Sequence, residues 1–330
     1  MRKRSWLGLG LLLAVSFLLS CLWGRYPLSP ADLWEILSGQ AAGTMKANVF
    51  WNIRVARVCL AALCGAALSL AGFAYQGLFR NPLVSPDVLG VSGGASVGAI
   101  CAILFSGGSL AALQVLSFAG GLATVALSLL LARAIGGNRY FNLILSGVIL
   151  GALANAAIMA MKYMADPAQE LAVIDYWLMG SFHLASWEKL RSAAPLILLA
   201  GAVLTLLRYR LKVLTLGDEE AASLGVAVGP VRLACIVCAT VLTAASVSVS
   251  GIVSWVGLIV PHLVRTVLGE DFEANFFQSI LWGAALLLLA DTLARSLLPA
   301  EIPISILTSL MGAVFLAVFL IRRRRGERPC

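Results

Sequence analysis

The sequence predicts an all-α, polytopic membrane protein with about ten transmembrane helices. Two observations decide the class. Of 330 residues, 60% are hydrophobic and only 12% are charged, whereas a soluble domain carries about 25% charged residues. Apolar runs also repeat along the whole length, separated by short segments holding Pro, Gly and charge. Residues 1–330 therefore read as a single membrane domain. The net charge of +8 follows from basic cytoplasmic loops, and no nucleic-acid partner is expected.

Residues 1–24 begin MRKR and run apolar to Gly24. Leu18-Leu19-Ser20-Cys21 resembles a lipoprotein cleavage box, but Leu19 fits it poorly. With many spans following, a retained first helix is the better reading. Residues 25–53 leave the membrane, and Ser29 to Leu37 reads as a short amphipathic helix with Pro30 in its first turn. Span 2 covers about 55–79. The turn Arg80-Asn81-Pro82-Leu83-Val84-Ser85-Pro86-Asp87 follows, and Asp87 or Ser85 caps the next helix. Span 3 covers about 88–105, with Gly90, Gly94 and Gly98 on one face for close helix packing. Span 4 covers about 110–132. Span 5 covers about 141–161 and carries Gly147 and Gly151 as a further close-approach pair. Its Asn142 and Asn155 either bond a neighbouring helix or face a wet path.

Residues 162–191 read as an external segment with Trp177, His183 and Trp187. Span 6 covers about 193–207. Span 7 covers about 233–249. Span 8 follows Gly251, and Pro261 should kink or end it, with His262 and Arg265 near the cytoplasmic surface. The acidic turn Gly269-Glu270-Asp271-Phe272-Glu273 leads to span 9, about 277–297, where Asp291 and Arg295 stand at a pairing spacing. Span 10, about 304–321, ends in Arg322-Arg323-Arg324-Arg325. Both termini then lie inside. The proposed cytoplasmic side holds twice as many Lys and Arg as the external side, which supports this orientation. Arg54, Arg57 and Arg295, with Arg25, fall on the disfavoured side. Spans 2–5 and 7–10 form two groups of opposite topology, a plan that recurs in transporters.

Between the two halves lies a polar stretch, 208–232. In it Gly217 and Gly225 bracket Asp218-Glu219-Glu220-Ala221-Ala222-Ser223-Leu224. Asp218 reads as an N-cap, acids fill the first turn, and Gly225 stands where a left-handed C-cap residue belongs. About two helical turns cannot be stable alone in water, so this helix must dock on something. Other chemistry is poorly supported. The seven cysteines give no framework: Cys59, Cys64, Cys101, Cys235 and Cys238 lie in apolar segments, and Cys235-x-x-Cys238 has no second pair. The two histidines, His183 and His262, form no H-E-x-x-H. No G-x-x-x-x-G-K-[ST] occurs, so the chain has no P-loop.

The motifs together resemble a family. Arg80-Asn81-Pro82-Leu83 with Asp87-x-Leu89-Gly90-Val91-x-x-Gly94-Ala95 is similar to a signature of the FecCD permeases, the BtuC-like membrane subunits of type II ABC importers for iron chelates, haem and cobalamin. Leu214-x-Leu216-Gly217-Asp218-Glu219-x-Ala221-x-x-Leu224-Gly225 resembles their cytoplasmic coupling loop. Gly257-Leu258-Ile259-Val260-Pro261-His262-Leu263-Val264-Arg265 resembles a third signature. Asp291-x-x-Ala294-Arg295 and Glu301-Ile302-Pro303-Ile304 resemble the C-terminal block. Ile304-Ser305 and Val84-Ser85-Pro86 depart from the common pattern.

The resemblance implies a permease subunit paired with a second permease, as a homodimer or heterodimer, around one path. It implies two ABC ATPase subunits on the cytoplasmic side, holding ATP and Mg, and an extracytoplasmic substrate-binding protein. No cofactor is expected on this chain, which is no enzyme itself. Leu216, Gly217, Asp218, Glu219, Glu220, Ala221, Leu224 and Gly225 would contact the ATPase. Arg54, Arg57 and Arg295 match positions that meet acidic residues of the binding protein. Spans 5 and 10 would line the path. The implied location is a bacterial cytoplasmic membrane. The alternative is a secondary transporter driven by an ion gradient, with Asp291 as the candidate ionisable group.

Overall fold

The structure is a computed structural model and describes residues 2–24, 26, 28–137, 139–269 and 271–324. Arg25, Glu270, Arg325 and Arg328 lie outside the described residues. The described secondary structure is helical throughout. Helix α1 (Arg2–Leu22) is followed by α2 (Pro30–Leu37) and α3 (Met45–Asn48). From α3 a π-helical segment, Val49–Val55, leads without a break into α4 (Ala56–Phe79). Then come α5 (Val91–Phe105), α6 (Leu110–Ile135), α7 (Arg139–Met164), α8 (Leu171–Leu178), α9 (Trp187–Leu214) and α10 (Asp218–Ser223). The last four are α11 (Val228–Ser250), α12 (Val256–Leu268), α13 (Phe272–Ala294) and α14 (Ile304–Arg324).

Each expected span has its helix. Six are long and apolar enough to cross a membrane: Met45–Phe79, α6, Tyr140–Met164, α9, α11 and α13. The other four spans fall on shorter apolar helices, Gly10–Leu22, α5, α12 and Ile304–Phe319. Burial ranks them. The apolar windows of α4 and α11 are 78% buried inside the chain, against 22% for α7 and α9. The fold is thus built around α4 and α11, with α7 and α9 at its periphery.

The two expected groups are paired symmetrically, but each gives its first helix to the other. Helix α4 packs on α12 and α13, and its counterpart α11 packs on α5 and α6. Helix α5 packs on α6 as α12 packs on α13, and α4 and α11 meet each other. Small residues make these crossings possible. A Cβ added at Gly94 would collide with Thr124 and with the Gly120 carbonyl, and one at Gly98 with the Leu116 carbonyl. Gly65 and Gly283 meet backbone to backbone between α4 and α13. Gly147 packs on the Val88 carbonyl; a Cβ at Gly151 would meet nothing within 4 Å, but the Gly151 backbone N–H borders Gly90, where a Cβ would lie 3.5 Å from it.

Caps set the helix starts. Ser29 and Asp32 form a reciprocal capping box around Pro30. Gly90, at φ +80°, turns the chain into α5, which therefore starts at Val91 rather than 88. The Asp87 carboxylate accepts the Ser92 N–H at 2.6 Å and so serves the start of α5.

Two expectations are revised. Of the two outcomes expected at Pro261, a kink or an end, the helix does not end there: α12 continues to Leu268. Without an N–H on Pro261, the Gly257 carbonyl has no donor four residues on. That oxygen instead lies against the backbone of Gly72 on α4, where a Cβ would collide with it. The segment 162–191 holds α8 and the first turns of α9, capped by Ser186 accepting from the Lys189 N–H at 3.3 Å. Span 2 likewise starts earlier, since the run from Met45 is already helical.

Candidate functional site

The polar middle of the chain folds as the sequence suggests, with one change. Helix α10 covers Asp218–Ser223, but its N-cap is Gly217, at φ +145°, rather than Asp218. Asp218 is the first helical residue, and its side chain points to other elements. The far end closes as a Schellman motif. Gly225 sits at φ +79°, its N–H reaches the Ala222 carbonyl at 2.9 Å, and the Val226 N–H reaches Ala221 at 3.0 Å.

The helix has two faces. Ala221 is fully buried, and Asp218 lies one turn before it on the same side. Glu219, Glu220, Ala222, Ser223 and Gly225 are exposed, as are Leu216 at 60% and Leu224 at 63%. Two bare leucines therefore flank two free-facing acids. On the inner side, Asp218 Oδ1 accepts from Arg232 Nη2 on α11 at 2.5 Å and from the Tyr140 hydroxyl on α7. Partial burial raises the Asp218 pKa, but these two bonds outweigh it and hold the carboxyl below its ordinary value. Sequence reasoning missed Tyr140 and Arg232 as partners.

The neighbouring motif residues line the same end of the molecule. Asn81 Oδ1 accepts the Leu83 N–H at 2.9 Å and shapes the turn that exposes Pro82. Arg265 donates to Gln76, whose amide also reaches the Leu258 carbonyl at 3.1 Å, so α12 is tied to α4. Gln76, Arg80, Asn81, Pro82, Thr215 and Arg265 line a cavity of about 280 Å³. The His262 ring meets Phe319 edge-on, with centroids 4.2 Å apart, and fastens α12 to α14. Asn142 is buried and donates to the Gly136 carbonyl in the turn that leads into its own helix. Asn155 lies exposed on α7.

The opposite end holds the three arginines expected to be rim charges. The structure does not present them that way. Arg54, Arg57 and Arg295 are 3%, 7% and 6% exposed. Arg57 forks onto Asp291, with Nη2 to Oδ1 at 2.8 Å, and onto Glu301 at 2.9 Å. Arg54 donates to the carbonyls of Cys21 at 2.5 Å and Leu22 at 2.6 Å. Arg295 donates to the Ser20 carbonyl and lies 3.6 Å from Asp291. The expected Asp291–Arg295 pair thus exists, but Arg57 is the nearer partner. These groups are committed to one another, because a guanidinium inside a helical bundle needs acceptors for its five N–H groups.

A model of the FecCD transport family matches residues 12–322. The chain belongs to the FecCD family. Similar relatives include the hemin transport system permease protein HmuU of Yersinia pestis, 41% identical over 325 residues, which covers 96% of this chain and 95% of that one. The molybdate import system permease protein MolB of Haemophilus influenzae is 39% identical over 323 residues, covering 97% and 96%. A solved structure described as an inward-facing conformation of a metal-chelate type ABC transporter superposes with a TM-score of 0.87 at 37% identity, covering 97% of this chain and 99% of that chain. The fold, the order of the motifs and the FecCD assignment therefore agree, and the chain is a multi-pass membrane permease of the ABC importer type.

Proposed function

We propose that this FecCD permease moves a metal-containing small molecule inward by alternating access, driven by ABC ATPase subunits that dock on α10. The cargo is a ferric siderophore, haem or cobalamin. MolB among the relatives adds an oxyanion to the cargo types found in the family. The observation that carries the reading is the outward face of α10. A six-residue helix with Leu216, Glu219, Glu220 and Leu224 exposed is an unfinished surface, and the chain has no nucleotide-binding P-loop of its own. ATP and Mg belong to the partner. A second permease copy would cover the lightly buried α7 and enclose the path, and a substrate-binding protein would dock at the Glu301 end. With that orientation both termini are cytoplasmic.

The test is purification from the native membrane in mild detergent beside a Glu219→Lys/Glu220→Lys variant. The expected result is a stoichiometric ATPase with the wild type and its loss from the well-folded variant. Intact wild-type protein with no ATPase partner would overturn the reading. The ion-gradient alternative has no observation in its favour, since the Asp291 carboxylate is already paired with Arg57.

A further inference from the structure

The outward face of α10 explains Leu216, Glu219, Glu220 and Leu224, but not Asp218. Side chains from α11 and α7 bond that carboxylate, and Arg80 at the end of α4 lies against one of them. Arg232 Nη2 on α11 lies 2.5 Å from Asp218 Oδ1 and 2.6 Å from the Tyr140 oxygen on α7. The Tyr140 hydroxyl donates to the same Asp218 oxygen. Two guanidinium groups lie against the Tyr140 ring, Arg232 at 4.6 Å from the centroid and Arg80 at 5.1 Å. Arg80 is the left-handed residue, φ 49°, that terminates α4. The Arg232 side chain is shielded, 7% exposed, and the Asp218 side chain that it meets is 39% exposed.

A helix that only binds a partner needs outward residues. A helix that moves its own protein also needs an inward grip, and the grip must reach the part that moves. The backbone of α10 packs on α9 and α11. Its polar bond to α7 runs through Tyr140. Helix α7 is one of the two least buried long helices, so few internal contacts oppose its displacement. A charge-assisted bond in a sheltered site is about twice as strong as a neutral one, and it is directional, as a force-bearing link must be.

We propose that Tyr140 and Arg232 are positioning residues. Through Asp218 they lock the coupling helix to α7 and α11, so that movement of α10 becomes movement of α7. The inference rests on the importer reading, because it takes the force on α10 to come from a docked ATPase.

The test uses the full complex co-purified from the native membrane. Spin labels are placed at Val148→Cys on α7 and Leu198→Cys on α9, both exposed, with the half-buried Cys59 and Cys101 and the terminal Cys330 replaced by Ala. Inter-label distances are read by pulsed electron resonance before and after addition of ATP and vanadate. In the otherwise wild-type complex the distance distribution shifts. In Tyr140→Phe, which keeps the ring for both guanidinium groups, the ATPase still co-purifies and hydrolyses ATP. There the ATP-dependent shift falls at least about fivefold, at an unchanged melting temperature. A role in folding alone would lower the melting temperature and leave the shift intact. If Tyr140→Phe does not assemble, Arg232→Lys keeps the charge, loses the fork and carries the same readouts. An unchanged shift in the assembled variant overturns the proposal, as does a wild-type complex whose α7 does not respond to ATP. Absence of any ATPase from the wild type instead sinks the importer reading, and the inference with it.

Discussion

Arg57 on α4 and Asp291 on α13 meet at 2.8 Å, with the arginine side chain 9% and the carboxylate 1% exposed. The pair joins two helices that already touch through Gly65 and Gly283, and Glu301 and Arg295 extend it toward the chain's C-terminal block. A buried ion pair of this kind adds little stability over a well-packed apolar one. Removing one partner is costly, because the other charge is stranded.

The first prediction follows from that asymmetry. Asp291→Ala leaves Arg57 and Arg295 without their shared carboxylate and costs about 3–5 kcal/mol. Glu301→Gln removes a partner whose side chain is 18% exposed, where water replaces it, and costs about 1 kcal/mol or less. Thermal unfolding in detergent, followed by loss of the monodisperse chromatographic peak, ranks the two. Equal melting temperatures would contradict the network as described.

A second prediction concerns the crossing of α4 and α12. Gly72→Ala places a methyl group on the Gly257 carbonyl; the methyl is fixed by its Cα and the carbonyl is backbone, so neither can turn away. The helices must separate, at about 1–3 kcal/mol or more. Gly229→Ala at the start of α11 meets nothing within 4 Å and should stabilise slightly, by up to about 1 kcal/mol. The two melting temperatures should move in opposite directions.

What could be read from the sequence was local. The Ser29–Asp32 box, the glycines bracketing α10 and the small-residue face of α5 are set by spacings of a few residues, and each forms. The links that give those elements meaning are distant. Tyr140 is 78 residues from Asp218, and Arg57 is 234 from Asp291. No periodicity reports such pairs. The family resemblance implied that Arg54, Arg57 and Arg295 face a partner, and charge placement could not decide it, because a basic residue on the external side has two outlets, water or a buried acceptor. Only the fold supplies the acceptors, including the carbonyls at the end of α1 that hold Arg54. Asp218 shows the same limit. Its place at a helix start was legible, but its role as acceptor for α7 and α11 was not.

A third prediction is a pH response in the α2–α3 element. Asp32 is held down to a pKa of about 2 by its bond to Lys46 and by the Ser29 backbone and hydroxyl donors. A depressed carboxylate contributes stability above its unfolded value of 3.8, and loses it as pH falls through the folded one. Amide protection of α2 should therefore be flat down to about pH 4. It should then decline between there and about 2. Asp32→Asn should abolish the acid limb and lower protection at neutral pH. Retention of the acid limb in that variant would assign it to another group.

The last prediction separates docking from folding. Leu224 is 63% exposed and closes α10 as its C-cap. Most of its surface is open, so Leu224→Asp removes little internal contact and should change stability by no more than about 0.5 kcal/mol. On an ATPase, however, a leucine at the centre of an interface would be a desolvated anchor, and a buried unpaired carboxylate there costs several kcal/mol. The variant should therefore melt with the wild type yet co-purify with at least about tenfold less ATPase. Leu216→Asp, at 60% exposure on the other flank, should behave alike if both leucines belong to one interface. A loss confined to Leu224 would place the contact on the C-terminal half of α10, beside the Schellman turn. Co-purification undiminished in both would mean that the exposed leucines are not what the ATPase grips, and would transfer the docking role to the Arg80–Pro82 turn on the neighbouring cavity.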